Sequence, residues 1–589
     1  MISSLMNNKS IAVLPFLNIS PDPDEEYFSD GITEEIIITL SRIRNLKVTA
    51  RTSSFAFKNK NMDIREIGKA LGVFTVLEGS IRKAGNNVRI SVQLIRTDNG
   101  FQIWSAKFDR QLKDIFQLQE EISLLVGDKI RENFGHIELQ ASLDDGNSGN
   151  IDAYDYYLKG RHEQLKWTND ALKRAIELYK KSIDLDPGIS RAYYGIVYCY
   201  IYMVFWSSEE KDKEGVYAYL DKAAAVNHQT ADYYLAKASA DIMIEWDYES
   251  GIKNFRRLLE LNPNNPEALE AVAGLYIMVG DFNEAMKHID RALEVNPLSL
   301  NHTFMKGNIL YFSGDYQNAI KQMNLVLRQD PKWMFAVQLK AAGLILTDNR
   351  DALDELLEDY AEYPKMNHYR TLYKLYHGMP VGDYALPFLS DETIHAWQLY
   401  FQTLEGNVDT ALKMLETGLM QKHGKYVCFN YDPFLAGLRN QPGFEILHQY
   451  VPGSLPKLSD IYQDSAGQKP LITDDTERQN LIDALDRNMN EDQIFLDSDL
   501  SLRKLADVLD TSSNKLSWLI NEEKAVNFND YINGYRLEYF KKLALKPSNQ
   551  NLTLLGLALE SGFNSKSTFN DYFKKKTGQT PRSWVKSQM

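Results

Sequence analysis

Two stretches between Leu500 and Arg582 repeat one helical phrase, and this constrains the end of the chain to two copies of one unit. In the first copy Leu502, Leu505, Ala506 and Leu509 share a helical face. Asp510-Thr511-Ser512 breaks the pattern, and Leu516, Leu519 and Ile520 then define a second face. Leu554, Leu557 and Ala558 follow the first set by 52 residues, and Phe569, Tyr572 and Phe573 follow the second by 53. Gly562 stands in the second turn, where a sharp connection between helices needs positive φ; Asp510, at the matching place, tolerates that conformation better than most residues. Between the copies Phe528, Tyr531, Ile532, Tyr535, Tyr539 and Leu543 trace one stripe of a long helix. A helix over 528–545 spans roughly 27 Å. Successive major-groove faces of a duplex lie roughly 34 Å apart, so such a rod can set two reading helices into adjacent turns. Thr580-Pro581 predicts an N-cap and first position for a last short helix through Trp584.

These residues resemble the AraC/XylS family DNA-binding domain over about 90 residues. The resemblance runs through Leu502-Arg-Lys-Leu-Ala506, Asn533-Gly-Tyr-Arg536, Ala558-Leu-Glu-Ser-Gly-Phe563, Ser567-Thr-Phe569, Phe573-Lys574 and Gly578-Gln-Thr-Pro581. It implies an all-α tandem helix-turn-helix domain whose second helices enter major grooves with their early residues at base edges. Carried over, Ser513, Asn514, Ser517 and Trp518 are the base-contact candidates of the first unit, and Lys566, Ser567, Asn570 and Asp571 those of the second. Asn pairs bidentately with adenine and Lys with guanine, while Asp accepts from cytosine. Lys574, Lys575, Lys576, Arg582 and Lys586 are expected on phosphates, which position the module without reading sequence. Two departures stand out: Trp518 and Asp571 occupy places where many relatives carry Arg or a polar residue, and Glu522-Glu523 make the first unit acidic. Trp518 has a second reading, as packing against the first helix or the central rod.

Charge distribution agrees. The net charge of −14 argues against nucleic acid, yet residues 534–589 hold ten Lys/Arg against three Asp/Glu, a balance of +7 that leaves −21 for the rest. A basic end on an acidic body fits phosphate binding by one end only.

At the other end, Ile11 to Phe16 predicts a buried strand, followed by a Pro/Asp loop and a helix from about Gly31 to Ile43. Val48 to Thr52 predicts a strand, Ile64, Ile67 and Leu71 a helix ending at Gly72, and Leu112 to Phe134 a long amphipathic helix. Phe74 to Arg82 and Val88 to Arg96 form a hairpin through Gly85-Asn86-Asn87, with Ile103 to Phe108 as a further strand. This α/β stretch, about 125 residues, resembles the TolB-like N-terminal domain found ahead of repeat arrays in bacterial regulators. The resemblance rests on Ala12-Val-Leu-Pro-Phe16, Tyr27-Phe-Ser-Asp-Gly-Ile-Thr-Glu34, Leu77-Glu-Gly-Ser80 and Trp104 before Phe108-Asp109. It implies an architecture and no particular ligand. The acids Asp22, Asp24, Glu25, Glu26 and Asp30 lack the alternate-ligand spacing and central Gly of a Ca²⁺ loop and read as a solvated loop with helix N-terminal acids.

From Ile151 to about Tyr363 the chain repeats. Trp246-Asp247-Tyr248, Gly280-Asp281-Phe282 and Gly314-Asp315-Tyr316 stand 34 residues apart, with Gly251, Ala285 and Ala319, then Pro263, Pro297 and Pro331, at the same step. This period looks like tetratricopeptide repeats, which stack into a superhelix whose groove takes protein or peptide segments. Ala175, Tyr179, Ser182 and Pro187 mark an earlier copy, and an insertion is expected near Ser207 to Lys213. Tyr193, Tyr194, Tyr198, Tyr200 and Tyr202 mostly pack between helices. Periodicity fades after Asn349; the phrase beginning at Gly406 suggests one more helical pair, and Asp432-Pro433-Phe434 resembles a closing segment.

The expected organisation is mostly α: residues 1–138 a small α/β domain, 150–363 an α-solenoid, 364–451 a further repeat-like region, 452–476 a linker and 477–589 the tandem units. Two cysteines exclude a disulfide framework or a four-thiolate metal site. The N-terminus lacks the pattern of a signal peptide, and the longest apolar run, Ala192 to Trp206, falls short of the ~20 residues a spanning helix needs. A cytoplasmic location without membrane contact is expected. No Gly-rich phosphate loop, metalloprotease helix or nucleophile elbow appears, and the histidines are scattered, so no enzyme, metal or cofactor is expected. The residues predict a sequence-specific transcription regulator that binds double-stranded DNA, its upstream domains sensing or docking. They leave room for a contact with RNA polymerase and for a homodimer. The competing reading is a tetratricopeptide scaffold whose terminal module binds a protein.

Overall fold

A computed structural model of the chain describes residues 8–588 apart from 23–24, 44, 140–149, 167, 207–212, 364–367, 383–395, 460–471 and 473. It is mostly helical, with a small α/β sheet first, stacked helical pairs in the middle and helix-turn-helix units last. The sheet strands are β1 (Ser10–Val13), β2 (Leu17–Asn18), β3 (Lys47–Val48), β4 (Thr75–Ala84), β5 (Asn87–Arg96) and β6 (Gln102–Gln111). Their order is β3-β1-β4-β5-β6, with β2 also beside β4; β1 runs parallel to β3 and β4, while β4, β5 and β6 are antiparallel.

Helices α1 (Glu26–Ser41) and α2 (Ile115–Phe134) cover one face, burying Ile32, Ile36, Leu40, Ile115, Ile122 and Val126 against the sheet. Helix α1 begins earlier than its apolar spacing predicts, because Lys58 bridges the Glu26 and Asp30 carboxylates at 2.7 Å each. The acids of that loop are therefore partly paired; Asp24 lies outside the described residues. The expected strand from Val48 to Thr52 is cut short after Val48. There the Ala50 amide donates to the Val295 carbonyl of the repeats at 2.7 Å, and Arg51 opens a short helix.

The 34-residue phrase has a physical meaning in every copy. Trp246, Gly280 and Gly314 take positive φ, and the Asp after each caps the next helix by accepting the amide three residues on, from Ser250, Glu284 and Asn318. Asp348-Asn349 does the same one period later, with Asp348 at φ 54° and Asn349 capping Ala352. The repeat thus continues past the point where its letters fade. Tyr193 and Tyr194 are buried, as expected; the side chain of Tyr202 and the insertion site at 207–212 lie outside the described residues.

The array grips the sheet domain directly. One core runs from Ile32 and Ile122 through Tyr154, Tyr157 and Tyr179 of the first repeat helices. Buried Glu34 pairs with Arg161 at 2.9 Å and Arg51 at 3.1 Å, and Glu35 pairs with Arg191. Burial pushes the Glu34 carboxyl up, but Arg161 and Arg51 outweigh it and hold it below the usual range; for Glu35 burial wins and raises it. Farther along, Asn264 donates to the carbonyls of Ser41 and Leu46, and Ser53 donates to Asn296 at 2.6 Å. The end of the array folds back too. Tyr431 donates to the Val279 carbonyl at 2.9 Å, and Tyr276 donates to Pro456 while accepting from the Leu458 amide. Residues 452–459, expected as linker, are therefore packed on the repeats, with Leu458 buried.

Candidate nucleic-acid interface

Seven helices build the terminal module: α3 (Asp475–Asn490), α4 (Leu502–Val508), α5 (Ser513–Lys524), α6 (Phe528–Ala544), α7 (Leu554–Glu560), α8 (Lys566–Thr577) and α9 (Pro581–Gln588). Local chemistry fixes each start. Ser501, Ser512, Asn527, Thr553 and Ser565 cap α4 to α8, each accepting a backbone amide three residues on. Asp510 takes φ 49° in the first turn and Gly562 φ 88° in the second, as the spacing predicts.

The rod α6 joins the units through Arg536. Its guanidinium donates to the Phe495 and Asp497 carbonyls at 2.7 Å each, and burial lowers its pKa to about 10. A Cβ on Gly562 would stand 2.4 Å from the same Phe495 oxygen, so the second turn needs glycine for space as well as for φ. Leu516 and Ile520 pack on Phe528, Tyr531 and Ile532; Phe569 and Phe573 pack on Phe540. Tyr572 donates to the Asp530 carbonyl at 2.9 Å, which ties α8 to the first turn of the rod.

The two helices expected to read bases are placed differently. On α8, Lys566, Ser567 and Asp571 are exposed and Asn570 is half-buried, all around one side of the helix start. Lys574 on the same helix and Arg582 and Lys586 on α9 are exposed. Lys575 and Lys576 are exposed too, while reaching Asp530 at 3.1 and 3.9 Å.

Of the four candidates on α5, Ser513 and Asn514 keep partial exposure, while Ser517 and Trp518 are 1% and 5% exposed. Trp518 is packed, as the second reading had it, with Leu509 at the end of the first helix against its cluster. It sits with Ile472 and Leu481, with the Arg478 guanidinium 5.5 Å above its ring. Asn514 meets the sheet domain. Its Oδ1 accepts from Arg131 at 2.5 Å and from the Leu139 amide at 3.2 Å, and its Nδ2 donates to the Leu139 carbonyl at 2.7 Å. The end of α2 also supplies Glu132, which accepts the Leu502 amide at 3.1 Å, and Asn133, whose carbonyl accepts from Asn527 at 2.9 Å. The next residues complete the seam: the His136 amide donates to Asn521 at 2.8 Å, and a Cβ at Gly135 would lie 2.7 Å from that oxygen. The sequence signals no such seam: its residues stand some 370 or more positions apart.

Residues 505–587 match the family model for a helix-turn-helix domain. Residues 7–125, ahead of the repeats, match the second domain of HilA/YgeH-like transcriptional regulators, and 236–341 match the fifth ARM-repeat domain of TT21. The chain is 40% identical over 188 residues to a protein named putative adenylate cyclase 3 from Rhizobium meliloti (strain 1021), 31% of each chain. It is 33% identical over 92 residues to an uncharacterized HTH-type transcriptional regulator of Staphylococcus aureus (strain COL), 16% of this chain and 12% of that one. The chain thus spans under a third of the length of these curated relatives. Among solved structures, YrrB, a TPR protein with an unusual peptide-binding site, is similar at 19% identity over 32% of this chain and 92% of its own, with a TM-score of 0.23. A human IFIT1 dimer with PPP-AAAA is similar at 14% identity over 54% and 71%, with a TM-score of 0.33. The helix-turn-helix match thus follows the stacked helical pairs, and a stretch similar to a domain of transcription regulators precedes them. Among the described residues no helix is long and apolar enough to cross a membrane, and no group of three or more His, Cys, Asp or Glu is placed to hold a metal ion.

Proposed function

We propose that this protein is a sequence-specific DNA-binding transcription regulator of the AraC type, and that its sheet domain, similar to TolB-like domains, and its repeats act as sensor or docking modules. The observation that carries this reading is the exposed start of α8. Lys566, Ser567 and Asp571 are exposed there and Asn570 is half-buried, on a helix held by Tyr572, and Lys574 on the same helix and Arg582 and Lys586 on α9 are exposed. Such a face offers base-edge donors and acceptors beside cations for phosphate. The match to a helix-turn-helix domain and the basic balance of residues 534–589 support it. Selection of duplexes from a random pool with the full chain, followed by binding measured across salt, tests it. Enrichment of one sequence and a fall in affinity with salt are expected; no binding at low salt to any duplex overturns it.

A second reading is favoured by the seam at α5: a scaffold whose terminal module meets protein. Under it, the exposed face of α8 binds a protein partner and selects no DNA.

A further inference from the structure

The seam between α2 and the first unit touches the residues through which that unit would read bases. Asn514 is engaged on both amide atoms by the backbone of one residue. Leu139 gives its N–H to Oδ1 and takes a hydrogen from Nδ2, at 3.2 and 2.7 Å. These are the acceptor and donor that an asparagine presents to the edge of adenine. The Leu139 backbone N–H and C=O thus occupy Asn514 as a base edge would, and Arg131 adds a third bond at 2.5 Å. Ser517, one turn on from Asn514, is 1% exposed, and Asn521, one turn further, holds the His136 amide. The capped stripe on α5 therefore runs from Asn514 through Ser517 to Asn521, while the matching face of α8 is open.

The contact has polar character on both sides. Arg131 is 3% exposed, pairs with Asp128, and leaves its Nε without a partner. Lys9 donates to the His136 carbonyl at 2.6 Å. A seam made of hydrogen bonds, most of them to backbone groups, rather than of a broad apolar core, can be exchanged for bonds to another partner at modest cost.

We infer that the end of α2 and the strand of chain after it, residues 131–139, form an autoinhibitory cap on α5, so that in this state only the second unit can meet a duplex and tandem reading requires the cap to lift. This rests on the reading of α5 and α8 as DNA-reading helices. The cap also gives the sheet domain and repeats a means of control: any ligand or partner that moves α2 relative to the rod changes the number of units available to DNA.

The test uses the full chain with Arg131→Ala and Glu132→Ala together, both outside the DNA-reading face, and Glu132→Gln as the conservative variant that keeps an acceptor for Leu502. Duplexes selected with both the parent and the double variant are footprinted with hydroxyl radicals. The parent and Glu132→Gln should protect one half-site; the double variant should protect a second about one helical turn away and bind a two-half-site duplex about tenfold tighter. Hydrogen exchange without DNA gives an independent reading: amides of 513–524 should exchange faster in the double variant than in the parent. Two protected half-sites with the parent overturn the cap and leave the proposed function standing. Unchanged exchange in the double variant overturns the cap whatever the DNA result. If neither protein protects any duplex at low salt, the proposed function falls and the cap falls with it.

Discussion

Arg536 donates to the carbonyl oxygen of Phe495 at 2.7 Å, and that oxygen is the atom a side chain at position 562 would strike. One carbonyl thus holds the rod, the turn ahead of the first unit and the turn inside the second in a fixed relation. Arg536→Ala removes the donors, leaving the Phe495 carbonyl unsatisfied in a buried place and the Asp497 carbonyl without its donor in a partly buried one. A loss of about 2–4 kcal/mol in the stability of the terminal module is expected. Hydrogen exchange over 495–573, which separates this module from the rest of the chain, measures it.

Gly562→Ala tests the other side of the same contact. At φ 88° and with Phe495 oxygen 2.4 Å from the new Cβ, the backbone must shift. A loss of about 2 kcal/mol or more is expected, larger than for Gly578→Ala, where φ is 72° and no atom lies within 4 Å of the added carbon. Chemical denaturation followed by tryptophan emission near Trp584 compares the two.

Asn570→Ala and Lys575→Glu should separate reading from positioning. The first is expected to relax preference at one base position at a cost of about 1–3 kcal/mol for the preferred base, and the second to weaken all duplexes alike and lower the salt slope by about one. Binding to a set of single-base variants distinguishes them; an unchanged preference in Asn570→Ala removes that residue from the interface.

Asp432 carries the pH prediction. It is buried, caps Phe434 at 3.0 Å and accepts from the Tyr400 hydroxyl; burial raises its pKa to about 7 against those bonds. An acid raised in the folded state holds its proton there more tightly than when unfolded. Its contribution is therefore full below about pH 4 and is lost as pH rises towards 7. Asp432→Asn, the uncharged isostere of the protonated acid, should flatten this decline, so thermal melts of parent and variant should lie closest below about pH 4 and separate as pH rises to 7, the parent becoming the less stable.

The tandem units were legible because their information is local: apolar spacing, capping Ser and Thr, and Gly562 at the turn all lie within a few residues of what they determine. The repeats were legible for the same reason until Asp348-Asn349, where Asp and Asn do the work of Gly and Asp in the same turn geometry and hide the period. The early start of α1 was not legible, since it depends on Lys58, and the short β3 was not, since Ala50 bonds to Val295. Burial of Ser517 and Trp518 was invisible for a like reason. Trp518 lies with Ile472 and with Leu481 of α3, a tertiary contact that no period in the chain records.

The apolar core shared by Ile32, Ile122, Tyr154 and Tyr179 has a practical corollary. Tyr154 meets Phe116 and Gln119, and Arg161 pairs with Glu34, so a chain begun at residue 150 would bare the Tyr154 face and remove that carboxylate from Arg161. Anyone wishing to study the repeats apart from the sheet should expect a sticky, partly melted first pair of helices; severing the chain beyond residue 459 leaves that shared interior whole.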